Sequence, residues 1–481
     1  MKHDLFLAEE TEPEKGFIAQ QGTADVTFGD IFHLFSAAVK AKIRRSVVLC
    51  LCTQTAACVA GFLALEQADA VPFLLGKTLT KDHLVRWMER FSIQYLWIPA
   101  ETAEKMLAAD DFAVLCAFRD YLLVEKCGAP APPCGLYPEL ALLLPTSGST
   151  GAQKVVRLSK DNLRASLALI QEIAGFNQKD VGLVYLPVEH CFTIGLIHAL
   201  YHTGAKIVCA PNGILEAGQP GFMDKNQISV LISVTYIIDL LRKTDFFQTP
   251  HPTLRIIANG AGATPRETQD FLAGYLERQG GRLIPTYGQT EVTIVASALP
   301  AEALHRVYHS IGKPYGDVVM TIENPDKCGI GELVIRSAAV MLGYASCAAD
   351  LSLGNVTGNV IHTGDLARRD EEGYYYIKGR KARFAKLYGE RISLQYLEEE
   401  LSARFPDCEF ACVSNDETIA VVSTAAADRR PEILQAAARI AGVHSMTVTF
   451  VPLPAIPRKE TGKVQYFALQ KLVYGGGGAH A

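Results

Sequence analysis

The chain has 481 residues, 49% of them hydrophobic, and a formal net charge of −5. That length suits about two to four domains or subdomains around a large core. The small net charge gives no electrostatic reason to expect nucleic acid or an anionic membrane as a partner, so a small-molecule enzyme is the expectation.

The first fifteen residues are charged and lack the apolar centre of a secretion signal. Residues 28–42 read as a helix, 46–51 as a strand, 55–67 as a helix, 71–75 as a strand, 79–91 as a helix and 93–98 as a strand. Residues 46–65 carry no formal charge and approach the length of a bilayer span. Thr53, Gln54 and Thr55 interrupt them, so a strand followed by an apolar helix is expected, with no membrane span. The twelve cysteines are scattered and contain no CxxC pair. Free, buried thiols in a reducing cytoplasm are therefore expected rather than a zinc site or a disulfide framework.

Residues 127–138 hold four prolines and two glycines and read as a connector. A second α/β block runs over residues 140–295, with short apolar strands expected at 207–210, 230–234 and 254–258. From 312 to 376 the texture changes to short strands and turns, including 331–336 and 374–378. A helix at 394–405 and apolar segments at 419–423 and 446–451 suffice for a small terminal domain of about a hundred residues. Strands alternating with helices imply parallel sheets covered on both faces.

Four motifs carry chemistry. Apolar residues 141–144 lead into Thr146-Ser147-Gly148-Ser149-Thr150-Gly151, with Lys154 just beyond. Glycines let backbone N–H groups approach phosphate oxygens, hydroxyls add donors, and a lysine adds charge. Gln153 before the lysine and Val155 after it exclude a Walker A loop; a surface loop is the plain alternative. Tyr287-Gly288-Gln289-Thr290-Glu291 places a hydroxyl and a carboxylate after a strand, which suits Mg²⁺ on a phosphate as well as it suits an acidic helix start. Asp365 follows Thr363-Gly364 and precedes Gly379-Arg380; it can accept the hydroxyls of a ribose or close an Asx turn. Gly462-Lys463 lies in a basic loop that reads either as a solvated charge run or as a mobile cation.

In this order the four motifs resemble those of the adenylate-forming (AMP-binding) superfamily of acyl- and aryl-CoA synthetases, luciferases and peptide-synthetase adenylation domains. Pro187-Val188-Glu189-His190 and the Gly331 to Tyr344 region fit the same pattern. The resemblance implies a large N-terminal domain of helix-covered mixed α/β sheets plus a β-rich subdomain, residues 1–379. A small mobile α+β domain would follow, residues 380–481, with a hinge near Ala382. It further implies that Thr146 to Gly151 and Lys154 wrap the ATP phosphates, and that Asn259, Gly260, Ala261, Tyr287 and Gly288 border the adenine. Thr290 would touch the α-phosphate, Glu291 would hold Mg²⁺, and Asp365 and Arg380 would bind the ribose. Lys463 would bridge the substrate carboxylate and the α-phosphate, and His190 would gate the acid pocket. Lys386 and Gly389 would line the path of an acceptor thiol, either coenzyme A or the phosphopantetheine arm of an acyl carrier protein. Ala382 replaces the usual charged hinge residue, and Glu390 the usual bulky residue after Gly389. Gln289, together with a Cys191 to Ile194 segment lacking aspartate, favours a carboxylic acid without an amino group. A non-catalytic nucleotide or acyl sensor is the alternative from another class; it would have lost Lys463, Glu291 or Thr290, all of which are present.

Overall fold

The computed structural model describes residues 12–77, 79–128, 135–145, 154–219, 221–260, 264–380, 384–387, 390–415, 417–458 and 462–474. The chain forms two compact units. Of the described residues, one takes those up to 145, 154–319 and 335–361; the other takes those of 320–334 and 362–474.

The first unit carries two large sheets. One has eight strands, in the spatial order Gly343–Ala345, Val155–Ser159, Leu140–Pro145, Val71–Gly76, Val47–Cys52, Tyr95–Pro99, Tyr121–Lys126, Phe112–Phe118. The other has nine and is centred on Arg282–Tyr287, Ile256–Gly260, Val230–Val234, Val181–Val184 and Lys206–Cys209. These five pair in parallel, as do Val47–Cys52 and its neighbours on either side. The parallel core that the alternation implies is present, and antiparallel strands flank it in both sheets, giving the mixed α/β sheets that the resemblance implies.

The uncharged stretch divides as expected, into the strand Val47–Cys52 and the helix Ala56–Gln67, whose first turn is capped by the Thr55 hydroxyl. Its residues from Ala56 to Leu65 are all buried, so the helix is apolar on every side because it lies inside the protein. Among the described residues no helix is long and apolar enough to cross a membrane. The helix expected over residues 28–42 is instead two, Phe28–His33 and Ala37–Ile43. The Ser36 hydroxyl accepts the Val39 N–H and so starts a second helix where periodicity alone would continue the first. The described cysteines are free, and burial raises the thiol pKa of Cys50, Cys52 and Cys209; Cys127, Cys328 and Cys347 are exposed, contrary to the expected burial.

Helix Ala56–Gln67 meets helix Cys191–Thr203, which covers the nine-stranded sheet. Glu66 lies 3.1 Å from His198, Gln67 hydrogen-bonds the Tyr201 hydroxyl, and the Phe62 and His198 rings are 5.4 Å apart. Both members of the Glu66–His198 pair are buried, where each would be costly alone. This contact fixes the two sheets against each other through their helices.

The second unit holds most of the sheet Val319–Glu323, Gly331–Arg336, Val360–Arg369, Tyr375–Arg380. It also holds the hairpin Phe384–Leu387/Glu390–Ser393 and a three-stranded sheet of Phe410–Ser414, Ile419–Ser423 and Val448–Pro452. Helices Leu394–Arg404 and Arg430–Ala441 bury Leu397, Leu401 and Ile433 in one core, which includes Val421 of the three-stranded sheet. The boundary at residues 379–380 and the hinge at Ala382 stay proposals; Ala382 and Gly389 lie outside the described residues.

Gly61 sits where a Cβ would come within 2.1 Å of the buried Trp97 indole. Gly61→Ala is therefore expected to destabilise the first unit by about 1–3 kcal/mol, despite the helix propensity of alanine. A lowered urea midpoint checks this; an unchanged or raised midpoint contradicts it.

Candidate active site

In an open parallel sheet the carboxyl ends of the strands are where ligands bind. Three such ends lie side by side in the first unit. Ser233 and Val234 stand in register with Asn259 and Gly260, and Asn259 in register with Pro285. The expected adenine-side residues Asn259, Gly260, Tyr287 and Gly288 are thus neighbours at the end of one sheet. Asn259 is buried; its Nδ2 donates to Thr235 Oγ1 (3.1 Å) and Thr264 Oγ1 (2.8 Å). Its Oδ1 has no hydrogen-bond partner among the described residues and is an acceptor in waiting. A Cβ on Gly288 would fall 1.6 Å from the Ile294 carbonyl oxygen, so only glycine lets the chain fold back here.

That fold-back builds the turn Thr290–Val292, and Thr293 after it takes φ 65° and ψ −41°. A β-branched residue at positive φ is strained by about 1–3 kcal/mol and persists only where surroundings impose it. Here the Thr293 N–H donates to the Thr290 carbonyl and its hydroxyl to the Ala339 carbonyl. The turn is also tied down at Glu291. The Met341 N–H donates to the Glu291 carbonyl at 2.9 Å, and the Tyr344 hydroxyl donates to Glu291 Oε1 at 2.9 Å.

Tyr344 lies on the edge strand of the eight-stranded sheet, paired with Val156. Burial first, and the Glu291 carboxylate second, push its phenol pKa well above the ordinary range. It therefore stays a donor at any physiological pH. Lys154 Nζ sits 4.9 Å from the centre of the Tyr344 ring, within cation–π range. One side chain thus links the lysine of the first motif to the carboxylate of the second. No role for Tyr344 was expected from the sequence; its only signal was its place in the Gly331 to Tyr344 region.

Among the described residues no three His, Cys, Asp or Glu side chains gather to hold a metal. A single oriented carboxylate nevertheless fits Mg²⁺, which usually binds one or two carboxylates together with substrate phosphates and water. His190 caps helix Cys191–Thr203, its Nδ1 accepting the Phe192 N–H at 3.3 Å. Thr146, Ser147, Gly148, Ser149, Thr150, Gly151 and Ala261 lie outside the described residues.

Behind the strand ends lies a cavity with about 40 Å³ of free space. Its floor is the in-register row Ile232, Ala258, Ile284, with Thr286 two residues further along the same strand face. Its roof comes from helix Lys160–Ala174 and from Phe192 and Gly195 of helix Cys191–Thr203. A Cβ on Gly260 would lie 3.5 Å from Phe192 and 3.0 Å from the Thr286 hydroxyl, so the cavity adjoins the expected nucleotide residues. Of the cavity residues, Phe192 falls in the Cys191 to Ile194 segment that the sequence ties to the acid; a glycine inside an apolar helix, Gly195, was a further signal.

In the second unit, Asp365 is buried and stands opposite Arg380 across an antiparallel pair. Its N–H donates to Thr363 Oγ1 at 3.1 Å, and the Thr363 hydroxyl donates to the Leu333 carbonyl at 2.7 Å. Lys463 is exposed, next to Gly462 with φ 76°. Arg458 closes the base of that loop: it donates to the Gly462 carbonyl at 3.0 Å, pairs with Glu409 at 2.8 Å and bridges to Val464. Lys386 lies on the hairpin, with Arg391 as its cross-strand partner.

Residues 34–345, well over half of the chain, match the family described as AMP-binding enzyme. A 2-succinylbenzoate–CoA ligase of Bacillus cereus is 26% identical over 353 residues, 70% of this chain and 68% of the relative. One from Staphylococcus aureus is 28% identical over 281 residues, 58% of this chain and 55% of the relative. The fold is shared with o-succinylbenzoate CoA synthetase of Bacillus subtilis bound to its acyl-adenylate. That match has TM-score 0.72 and 18% identity, covering 95% of this chain and 96% of that one. An anthranilate CoA ligase bound to anthranoyl-AMP matches with TM-score 0.72 and 18% identity, covering 96% and 94%.

Tyr344→Phe keeps the ring beside Lys154 and removes the hydroxyl from Glu291. The expected loss in kcat/KM with ATP is about tenfold, the value of one hydrogen bond to a charged group, with a raised Mg²⁺ requirement. Mg²⁺ titration at fixed ATP checks it; an unchanged Mg²⁺ dependence would show that the bond does not orient the carboxylate.

Proposed function

The chain belongs to the AMP-binding enzyme family, and on that footing we propose that it is an ATP-dependent, AMP-forming acid–thiol ligase. The observation that carries this reading is the convergence at one sheet end of Asn259, Gly260 and a Glu291 carboxylate held by Tyr344, beside an apolar cavity. In the first half-reaction a carboxylate oxygen attacks the α-phosphorus of ATP. The bond from that phosphorus to the bridging oxygen breaks, and pyrophosphate leaves with its electrons. Both reactants are anions, so positive charge and fixed donors dominate the barrier. Glu291 is the carboxylate we assign to Mg²⁺, which neutralises phosphate charge when bound. Thr290 is assigned to the α-phosphate, and Lys154 with the 146–151 loop to the outer phosphates. Asp365 and Arg380, cross-strand partners, are assigned to the ribose.

In the second half-reaction a thiol sulfur attacks the acyl carbon and AMP leaves. Coenzyme A is the acceptor we favour, because the relatives are named as CoA ligases. Lys386 is the residue assigned to that step, and a carrier-protein arm presents the same thiol. The acid in the relatives' names is 2-succinylbenzoate, a dicarboxylate, and it belongs in the panel of acids that tests this chain. A cytoplasmic location is part of the proposal.

Lys463 is assigned to the carboxylate and the α-phosphate together. Lys463→Ala is expected to lower acid-dependent exchange of pyrophosphate into ATP by about 10³-fold or more while ATP still binds. Near-normal exchange in that variant would remove Lys463 from the chemistry.

A further inference from the structure

The geometry points to a compact, uncharged, apolar acyl group as the occupant of the cavity under Gly260, and to exclusion of any acid with a second carboxylate. This rests on the ligase reading above and narrows it to a substrate class that differs from the acid in the relatives' names.

Every described residue that lines the cavity is apolar except Thr286. The Thr286 hydroxyl is already donated to the Asn259 carbonyl at 3.3 Å, so it is not free to donate to a ligand carboxylate. The basic residues at the opposite ends of the same strands do not enter. Arg282 donates to the Ala174 carbonyl at 2.6 Å, Arg255 pairs with Asp180, also at 2.6 Å, and neither lines the cavity. A second carboxylate placed here would lose its water and gain no cation from the described lining residues, a costly case for a buried charge.

Size follows from two small residues. Ala258 stands between Ile232 and Ile284 in the floor, and Gly195 replaces a side chain in the roof. A Cβ on Gly195 would come within 2.8 Å of Ile294 and 3.0 Å of Ile170. The free space of about 40 Å³ compares with the ~150 Å³ of an apolar cavity that holds benzene. The fit is to a compact group, with Gly195 and Ile294 setting its limit.

The test measures pyrophosphate release by the full chain with ATP and Mg²⁺ over matched acids: butyrate against succinate, benzoate against phthalate, and 2-succinylbenzoate. The expected result is a kcat/KM at least about 100-fold higher for the better monocarboxylate than for every dicarboxylate. A dicarboxylate used as well as the monocarboxylates would overturn the inference and leave the ligase reading standing. Failure of every acid to release pyrophosphate would sink the ligase reading, and this inference with it. Two variants address size. Gly195→Ala should raise the KM for the bulkiest accepted acid about tenfold without changing the KM for ATP, and Ile294→Ala should shift preference towards bulkier monocarboxylates. Preference ratios within one variant do not depend on how much of it folds. Unchanged ratios in both variants would show that the acid lies elsewhere.

Discussion

The hydrogen bond from Tyr344 to Glu291 is the constraint that joins the two large sheets of the first unit beside the proposed nucleotide site. Tyr344 belongs to the edge of the eight-stranded sheet, and Glu291 to the turn beyond a strand of the nine-stranded one. The bond therefore registers the two sheets at the carboxylate proposed for Mg²⁺. The rest of the turn is shaped to permit it: Gly288 allows the chain to fold back, Thr293 accepts a strained backbone, and Met341 holds the Glu291 carbonyl. A freely rotating glutamate would have to lose its rotamer freedom each time a metal–nucleotide complex bound. Here that loss is taken on folding.

A second division of labour runs through the same region. Polar groups stand at the strand ends, where Asn259 Oδ1 has no partner among the described residues and the Tyr344 hydroxyl holds the Glu291 carboxylate. One layer deeper, the same strands present Ile232, Ala258 and Ile284, with Thr286 as the one polar side chain among the described lining residues. On the proposed reading, charge handling and acid recognition are separated by two residues along a strand, from Ala258 to Gly260. The fixed polar groups would then be free of the acid's identity, and small changes at Gly195 or Ile294 would alter the acid without disturbing the nucleotide.

Much of this was legible in the sequence. The strands at Val230–Val234, Gly331–Arg336 and Ile419–Ser423 fall where their apolar runs place them, and Thr55 marks the start of its helix. Local signals sufficed there because turns and caps act within a few residues. What could not be read is long-range. The Tyr344–Glu291 bond spans 53 positions, and the cavity gathers residues from two helices and three strands. Nor does a sequence show that Ser36 begins a new helix, since serine is also tolerated inside one. The motifs named the chemistry, but only the packing of the sheets shows which tyrosine holds the Glu291 carboxylate and which glycine opens the apolar cavity.

Attack of the carboxylate on the α-phosphorus is the central claim. The most direct measurement uses a carboxylic acid labelled with ¹⁸O in its carboxyl group, with ATP, Mg²⁺ and the acceptor thiol, and follows the label by mass spectrometry. Attack at the α-phosphorus transfers one carboxyl oxygen to that phosphorus, and cleavage at the acyl carbon leaves it there, so AMP should carry one ¹⁸O. Label appearing instead in inorganic phosphate, with ADP as the nucleotide product, would show attack at the terminal phosphorus and contradict the account.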